Sequence, residues 1–141
     1  MEAMEYNQEI TVAAKIDQIP VISDFIEHFM MLAGFDSRNI LVVQLAVEEA
    51  CTNVDRYAYS GKDGTIHIVA RANGDRLELI IEDHGTPFNP TTHAVALSQA
   101  DAKDHPVGGL GIHLIRCYVD RMSFEYKDGM NILTLVKYRS Q

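Results

Sequence analysis

Glu49, Asn53 and Arg56 stand four and three residues apart in the stretch LAVEEACTNVDRYAY. At that spacing a carboxylate, an amide and a guanidinium line up on one helix face. The same stripe begins with Val42 and Leu45, so it starts apolar and ends polar. That change predicts a helix half in the core and half lining a pocket. Gln44, Glu48, Thr52 and Asp55 make a second stripe, expected on the solvent face. Further along, Asp83-His84-Gly85 closes a strand-like run, and HPVGGLGIHLIRCYVD places three glycines, Gly108, Gly109 and Gly111, around Leu110. Glycines ahead of a helix can offer backbone N–H groups and the positive end of the helix to a phosphate. The competing reading is a tight loop-to-helix turn and nothing more.

Two familiar phosphate motifs are excluded. No Gly-Lys-Ser/Thr follows the glycines, as a P-loop requires. The Gly109-Leu110-Gly111 run comes late, after a long irregular segment, and not after the first strand of a βαβ unit. His84, His105 and His113 fit no zinc spacing.

The elements that must position these residues can be read from periodicity. Residues 9–16 partly alternate and predict an edge strand. Ile19, Ile22, Phe25, Ile26, Phe29 and Leu32 predict a helix that starts near Asp17 or Pro20 and stops at Gly34. Asp36 is a good N-cap for a second helix running to about Ala58. Ile66, Ile68 and Ala70 alternate, as do Leu77, Leu79 and Ile81, with Asn73-Gly74 as a hairpin turn between them. Residues 86–107 lose all period, which in a compact domain points to a lid, with a short helix within HAVALSQADA. A short helix through Leu110, Leu114, Ile115 and Tyr118 and a hairpin turning at Asp128-Gly129 close the chain. Two hairpins and an edge strand predict an α+β fold, a two-layer α/β sandwich whose mostly antiparallel mixed sheet carries its helices on one face.

The 141 residues suit one domain spanning 1–141. No apolar run is long enough for a membrane span and no signal peptide opens the chain, so a cytoplasmic protein is expected. A formal charge of −8 without a Lys/Arg cluster argues against nucleic acid and anionic lipid as partners. Cys51 and Cys117 fall in predicted helices and are expected as reduced thiols in or near the core.

EEACTN, DHGTPF and GGLG, in this order, resemble the N box and the two glycine boxes of the ATPase superfamily that includes DNA gyrase, mismatch-repair ATPases and sensor histidine kinases. Within it, the chain from about Glu9 to Tyr138 is similar to the stand-alone anti-sigma-factor serine/threonine kinases. The resemblance implies a Bergerat-type ATPase fold that binds ATP with Mg²⁺, binds a sigma factor, and phosphorylates a small anti-sigma antagonist protein. It implies Glu49 as general base, with Glu48 as its solvent-facing rival, and Asn53 as the Mg²⁺ ligand, a hard ion that its neutral carbonyl oxygen suits. Asp83 would accept a hydrogen bond from the adenine amino group, and Gly85 would let the base approach the backbone. Pro87 belongs to the same nucleotide-binding box. Gly108, Gly109, Leu110 and Gly111 would hold the phosphates, and Arg56 either reaches a phosphate or stands on the surface.

Four positions depart from the family pattern: Ser23 for an arginine found in several kinases, Asp55 for an apolar residue, Tyr57 for a histidine, and Asn131 for a threonine near the adenine. They leave ATP binding expected and keep two alternatives open. One is a non-catalytic ATP-binding switch module, the other a detached histidine-kinase ATPase domain. A homodimer, with Phe25 and Phe29 of the first helix as candidate interface residues, is a further implication.

Overall fold

The computed structural model describes residues 5–91 and 115–139. The element order is β1 (Glu5–Ala13), α1 (Ile19–Leu32), α2 (Ser37–Asn53), β2 (Thr65–Asn73), β3 (Arg76–Asp83), β4 (Arg121–Lys127) and β5 (Met130–Tyr138). One five-stranded sheet, ordered β1-β2-β3-β5-β4, packs one face on both helices. The fold is thus the expected α+β sandwich. Every strand pairing among the described residues is antiparallel, where a mixed sheet was expected. Two-residue turns join β2 to β3 and β4 to β5, and a hairpin can only be antiparallel.

Period-two alternation decides what faces the helices. On β2 the inward residues are Ile66, Ile68, Ala70 and Ala72; on β3 they are Leu77, Leu79 and Ile81. Asp83 is the next inward position on β3, and Asn131, Leu133 and Leu135 form the inward series of β5. The two turns differ in chemistry. Asp128 and Gly129 both take positive φ, at 53° and 77°, as a type I′ turn demands. In the other hairpin Asn73 still pairs with Arg76, so the turn centres on Gly74-Asp75, one residue later than expected.

α1 has Pro20 in its first turn, where a missing N–H costs nothing, and ends before Gly34 at φ 87°. Its inward face is Ile22, Ile26, Phe29 and Met30. Phe29 is a core residue, so it leaves the candidate dimer interface; Phe25 stacks on it at 6.5 Å between ring centroids. α2 is capped as expected, the Asp36 carboxylate accepting from the Asn39 N–H at 2.8 Å. It faces the sheet with Val43, Ala46, Val47, Ala50 and Cys51. That is one stripe away from the expected Val42–Leu45 line, and Leu45 is 38% exposed. The stripe assigned to solvent is half-buried, because it flanks α1: the Gln44 Nε2 donates to the Ser23 carbonyl at 3.1 Å. Cys51 is buried, and burial with the nearby Asp83 and Glu48 charges pushes its thiol up to about 12. Cys117 is exposed, contrary to expectation, because the described helical residues 115–118 turn only Ile115 fully inward.

Arg139 ties the far end of the domain. Its guanidinium donates to the carbonyls of Gly34, Ala33 and Gly74 and lies 4.4 Å from the centre of the Phe35 ring. The end of α1, the β2–β3 turn and the core are joined by this one side chain. Arg139→Ala is expected to cost about 1–3 kcal/mol, from lost charged hydrogen bonds and the cation–π contact. A urea melt of the purified variant checks this; an unchanged midpoint would show the staple to be idle.

Residues 92–107 of the expected lid, the HAVALSQADA helix, His105, His113 and Gly108, Gly109, Leu110 and Gly111 lie outside the described residues. The two flanks of that run meet: the Arg116 guanidinium donates to the Thr91 carbonyl at 2.6 Å. Among the described residues no helix is long and apolar enough to cross a membrane.

Candidate functional site

Strand register brings the first two site residues together. Asp83 on β3 and Asn131 on β5 are direct cross-strand partners, and both point inward. Each is 3% exposed, a rare place for a carboxylate unless it is partnered. The Asn131 Nδ2 donates to the Asp83 Oδ1 at 2.8 Å, and the Gly85 N–H donates to the same oxygen at 2.9 Å. Even so, burial raises the Asp83 carboxyl above its ordinary range, against the lowering effects of Asn131, Gly85 and His84.

Above this pair lies the end of α2. The helix gives way to a π-helical turn over Val54–Ala58, closed by the Tyr59 N–H on the Val54 carbonyl at 3.0 Å. The predicted helix did run to Ala58, but its last turn is wider than an α-turn. Such bulges recur at functional sites because they re-aim side chains. Asn53 stands at the junction, only 2% exposed, and neither its Oδ1 nor its Nδ2 has a hydrogen-bond partner among the described residues. A buried amide is almost always satisfied, so this one is open to a partner from beyond the described residues.

Asn53, Asp83 and Asn131 all open on one pocket, walled by Ala50, Val54, Ile81, Phe88, Pro90, Phe124 and Leu133. The slot is narrow, with a cavity of about 20 Å³, and in its apolar walls and few converging polar groups it resembles the inner end of a small-molecule site. The sequence reading missed these walls, although alternation places Ile81 beside Asp83 and Leu133 beside Asn131. Phe88 closes the DHGTPF box without having been given a role, and Pro90 stands in the aperiodic segment.

Glu49 lies one turn before Asn53, half-buried. Burial raises its carboxyl pKa, Arg56 lowers it and Glu48 raises it further. Arg56 is exposed, and its charge reaches Glu49.

Gly85 has a reason of its own in the fold to be glycine. A Cβ there would stand 2.5 Å from the Ala58 carbonyl oxygen. The Thr86 N–H and hydroxyl both donate to that same carbonyl, at 2.8 and 3.0 Å. The glycine therefore lets the strand end dock on the π turn. Tyr59 supports the same joint: its hydroxyl donates to the Thr65 carbonyl and accepts from the His84 N–H, each at 2.8 Å. Gly85 and Pro87 face a separate open depression beside Tyr59, His84 and Tyr126, so the structure does not bring them into the pocket with Asp83. No group of three His, Cys, Asp or Glu able to hold a metal occurs among the described residues.

Comparison with known proteins agrees with this geometry. Residues 12–137 match the histidine kinase-like ATPase domain family. The serine-protein kinase RsbW of Bacillus mycoides is 31% identical over 92% of this chain and 83% of its own. Those of Bacillus cereus and Halalkalibacterium halodurans are each 30% identical over 92% of this chain, covering 83% and 82% of their own. Among solved structures, the RsbU and RsbW domains of Rv1364c from Mycobacterium tuberculosis superpose with a TM-score of 0.67 at 18% identity, over 96% of this chain. The chain spans 33% of that longer protein, and the likeness bears on the fold alone. Fold, box order and relatives converge: the chain belongs to the histidine kinase-like ATPase family, on the branch of the anti-sigma-factor serine/threonine kinases.

Proposed function

We propose that the chain is a single ATP-binding domain that binds a sigma factor and transfers the terminal phosphoryl group of ATP to a Ser or Thr of a small antagonist protein. The observation that carries this reading is the buried Asn53 amide, without a partner among the described residues, beside Asp83 in the lining of an apolar pocket. The relatives named serine-protein kinase support the transfer.

The residues fit an adenine nucleotide and its Mg²⁺. Ile81, Leu133, Phe124 and Val54 supply flat apolar contact for a base, and Asp83 accepts from its amino group. Asn53 Oδ1 is a hard neutral oxygen with no partner among the described residues, suited to an ion whose remaining ligands are phosphates and water. Bound there, Mg²⁺ would neutralise charge on the phosphate oxygens. The backbone amides of Gly108, Gly109, Leu110 and Gly111 are assigned to the phosphates by their place in the sequence. Glu49 then takes the proton of the substrate hydroxyl as its oxygen bonds to the γ-phosphorus and ADP leaves with the bridging oxygen. Most of the acceleration is positioning and charge stabilisation, to which Glu49 adds the proton acceptor.

Incubation with labelled ATP, Mg²⁺ and a candidate antagonist tests the reading. Label on a Ser or Thr of the antagonist is the expected result. ATP bound with no label transferred would remove the kinase claim and leave a nucleotide-binding switch module. Absence of ATP binding would remove both.

A further inference from the structure

Asn131 has no solvent to fall back on at 3% exposure, and it uses its whole amide. One Nδ2 proton goes to the Asp83 Oδ1 at 2.8 Å and the other to the Thr86 carbonyl at 2.9 Å. Its Oδ1 accepts from the Phe88 N–H at 2.9 Å. The orientation of the amide is forced. Turned over, its oxygen would meet two acceptors and its nitrogen would meet an N–H.

Two consequences follow from that arrangement. The Asp83 Oδ1 is filled by two donors, Asn131 and Gly85, so the carboxylate cannot rotate without losing both. The Asp83 Oδ2 makes no hydrogen bond among the described residues and is left for a ligand. The second consequence concerns the chain after the strand. Residues 86–88 are held to β5 by the same amide, which seats Phe88 in the pocket wall and against the Tyr57 ring, 5.1 Å between centroids. A hydroxyl in this place has one proton and cannot serve both Asp83 and Thr86.

We propose that Asn131 is a positioning residue that acts on base recognition through a single clip: it fixes the Asp83 carboxylate so that one oxygen reads the base, and it binds the 86–88 segment so that Phe88 closes the pocket wall. This deepens the adenine-nucleotide reading above and rests on it. The clip is built before any nucleotide arrives, so part of it can be tested without one.

Two variants, Asn131→Ala and Asn131→Thr, separate the two functions. Calorimetric titration would compare ATP with inosine triphosphate, which carries a carbonyl where adenine carries its amino group. Amide hydrogen exchange at Phe88 would be read in the nucleotide-free proteins. In Asn131→Ala, ATP affinity is expected to fall about tenfold while inosine triphosphate affinity holds, so the preference between them collapses. Exchange at Phe88 is expected to rise about tenfold or more as its acceptor is lost. Asn131→Thr keeps one donor for Asp83 and gives up the donor to the Thr86 carbonyl, so it should retain the preference for ATP while exchange at Phe88 rises above wild type, the 86–88 segment being held by one bond fewer. Equal losses for both nucleotides in Asn131→Ala would overturn the positioning role. Unchanged exchange at Phe88 in both variants would overturn the clip. A wild type that binds neither nucleotide would overturn the reading beneath them, and the exchange result would still stand by itself.

Discussion

Asp83→Asn is expected to lower ATP affinity by roughly one to two orders of magnitude in a protein that still folds. The substitution keeps the size of the side chain and takes away one acceptor. Asp83 now spends one oxygen on two donors, the Gly85 N–H and the Asn131 Nδ2, and keeps the other for the pocket. An asparagine that leaves its oxygen with those two donors points its NH₂ at the amino group of adenine, donor against donor. An asparagine turned the other way sets its NH₂ against Gly85 and Asn131 and loses the joint between β3 and the loop. The first arrangement is the milder, because it spoils a contact that exists only with ligand. The variant should then favour inosine triphosphate, whose carbonyl can accept from the new NH₂. Competition between the two nucleotides for one site on the variant reads this directly. A variant that still prefers ATP as the wild type does would remove Asp83 from base recognition. This test and that at Asn131 are linked: with the carboxylate gone, a further Asn131→Ala change should have little effect on the preference.

Much of this site was legible because the relevant signals are local. Three boxes in order, each on the element that should carry it, pointed to the family, and the family brought the fold with it. Asp83 was found from its box, and alternation along β3 accounts for its inward aim after Leu77, Leu79 and Ile81. The spacing of Glu49 and Asn53 gave their common face. Facing was harder, because a helix packed on both a sheet and another helix has no clean solvent stripe. Gln44 reaches α1 while Leu45 stays exposed, the reverse of what composition implies. The partnership of Asn131 with Asp83 depends on the register between strands separated by a long segment and another hairpin, and no local pattern carries that. Gly85 shows a further limit. Its residue type announced a close approach, and that the Ala58 carbonyl makes one is visible only in the packing.

Glu49→Gln is expected to reduce phosphoryl transfer by about 10²–10⁴-fold, the usual worth of a positioned general base, while ATP affinity stays close to wild type. The argument runs through the environment of the carboxylate. Burial pushes its pKa above the ordinary 4.5, Glu48 pushes the same way, and Arg56 pulls it back. A raised pKa makes Glu49 a stronger base, and it sets the acid limb of the rate profile above the range of a free glutamate. Activity should be lost as pH falls through that raised value. Arg56→Ala removes the one influence that lowers it, so the limb should move to higher pH. Stability has the opposite sign. A carboxyl whose folded pKa is raised stabilises the fold below its unfolded pKa, and that contribution is lost as pH rises through the folded value. At neutral pH the charged Glu49 is therefore a small burden, and Glu49→Gln should melt no lower than wild type. Transfer rates from pH 5 to 8, with melting curves alongside, check all three expectations. A fully active Glu49→Gln enzyme would move the proton acceptor elsewhere. An inactive one that also melts early would show that Glu49 holds structure and leave its chemistry unproven. The combination that supports the base is lost turnover, retained ATP and an unharmed fold, because a charge the fold resists is then kept for the reaction alone.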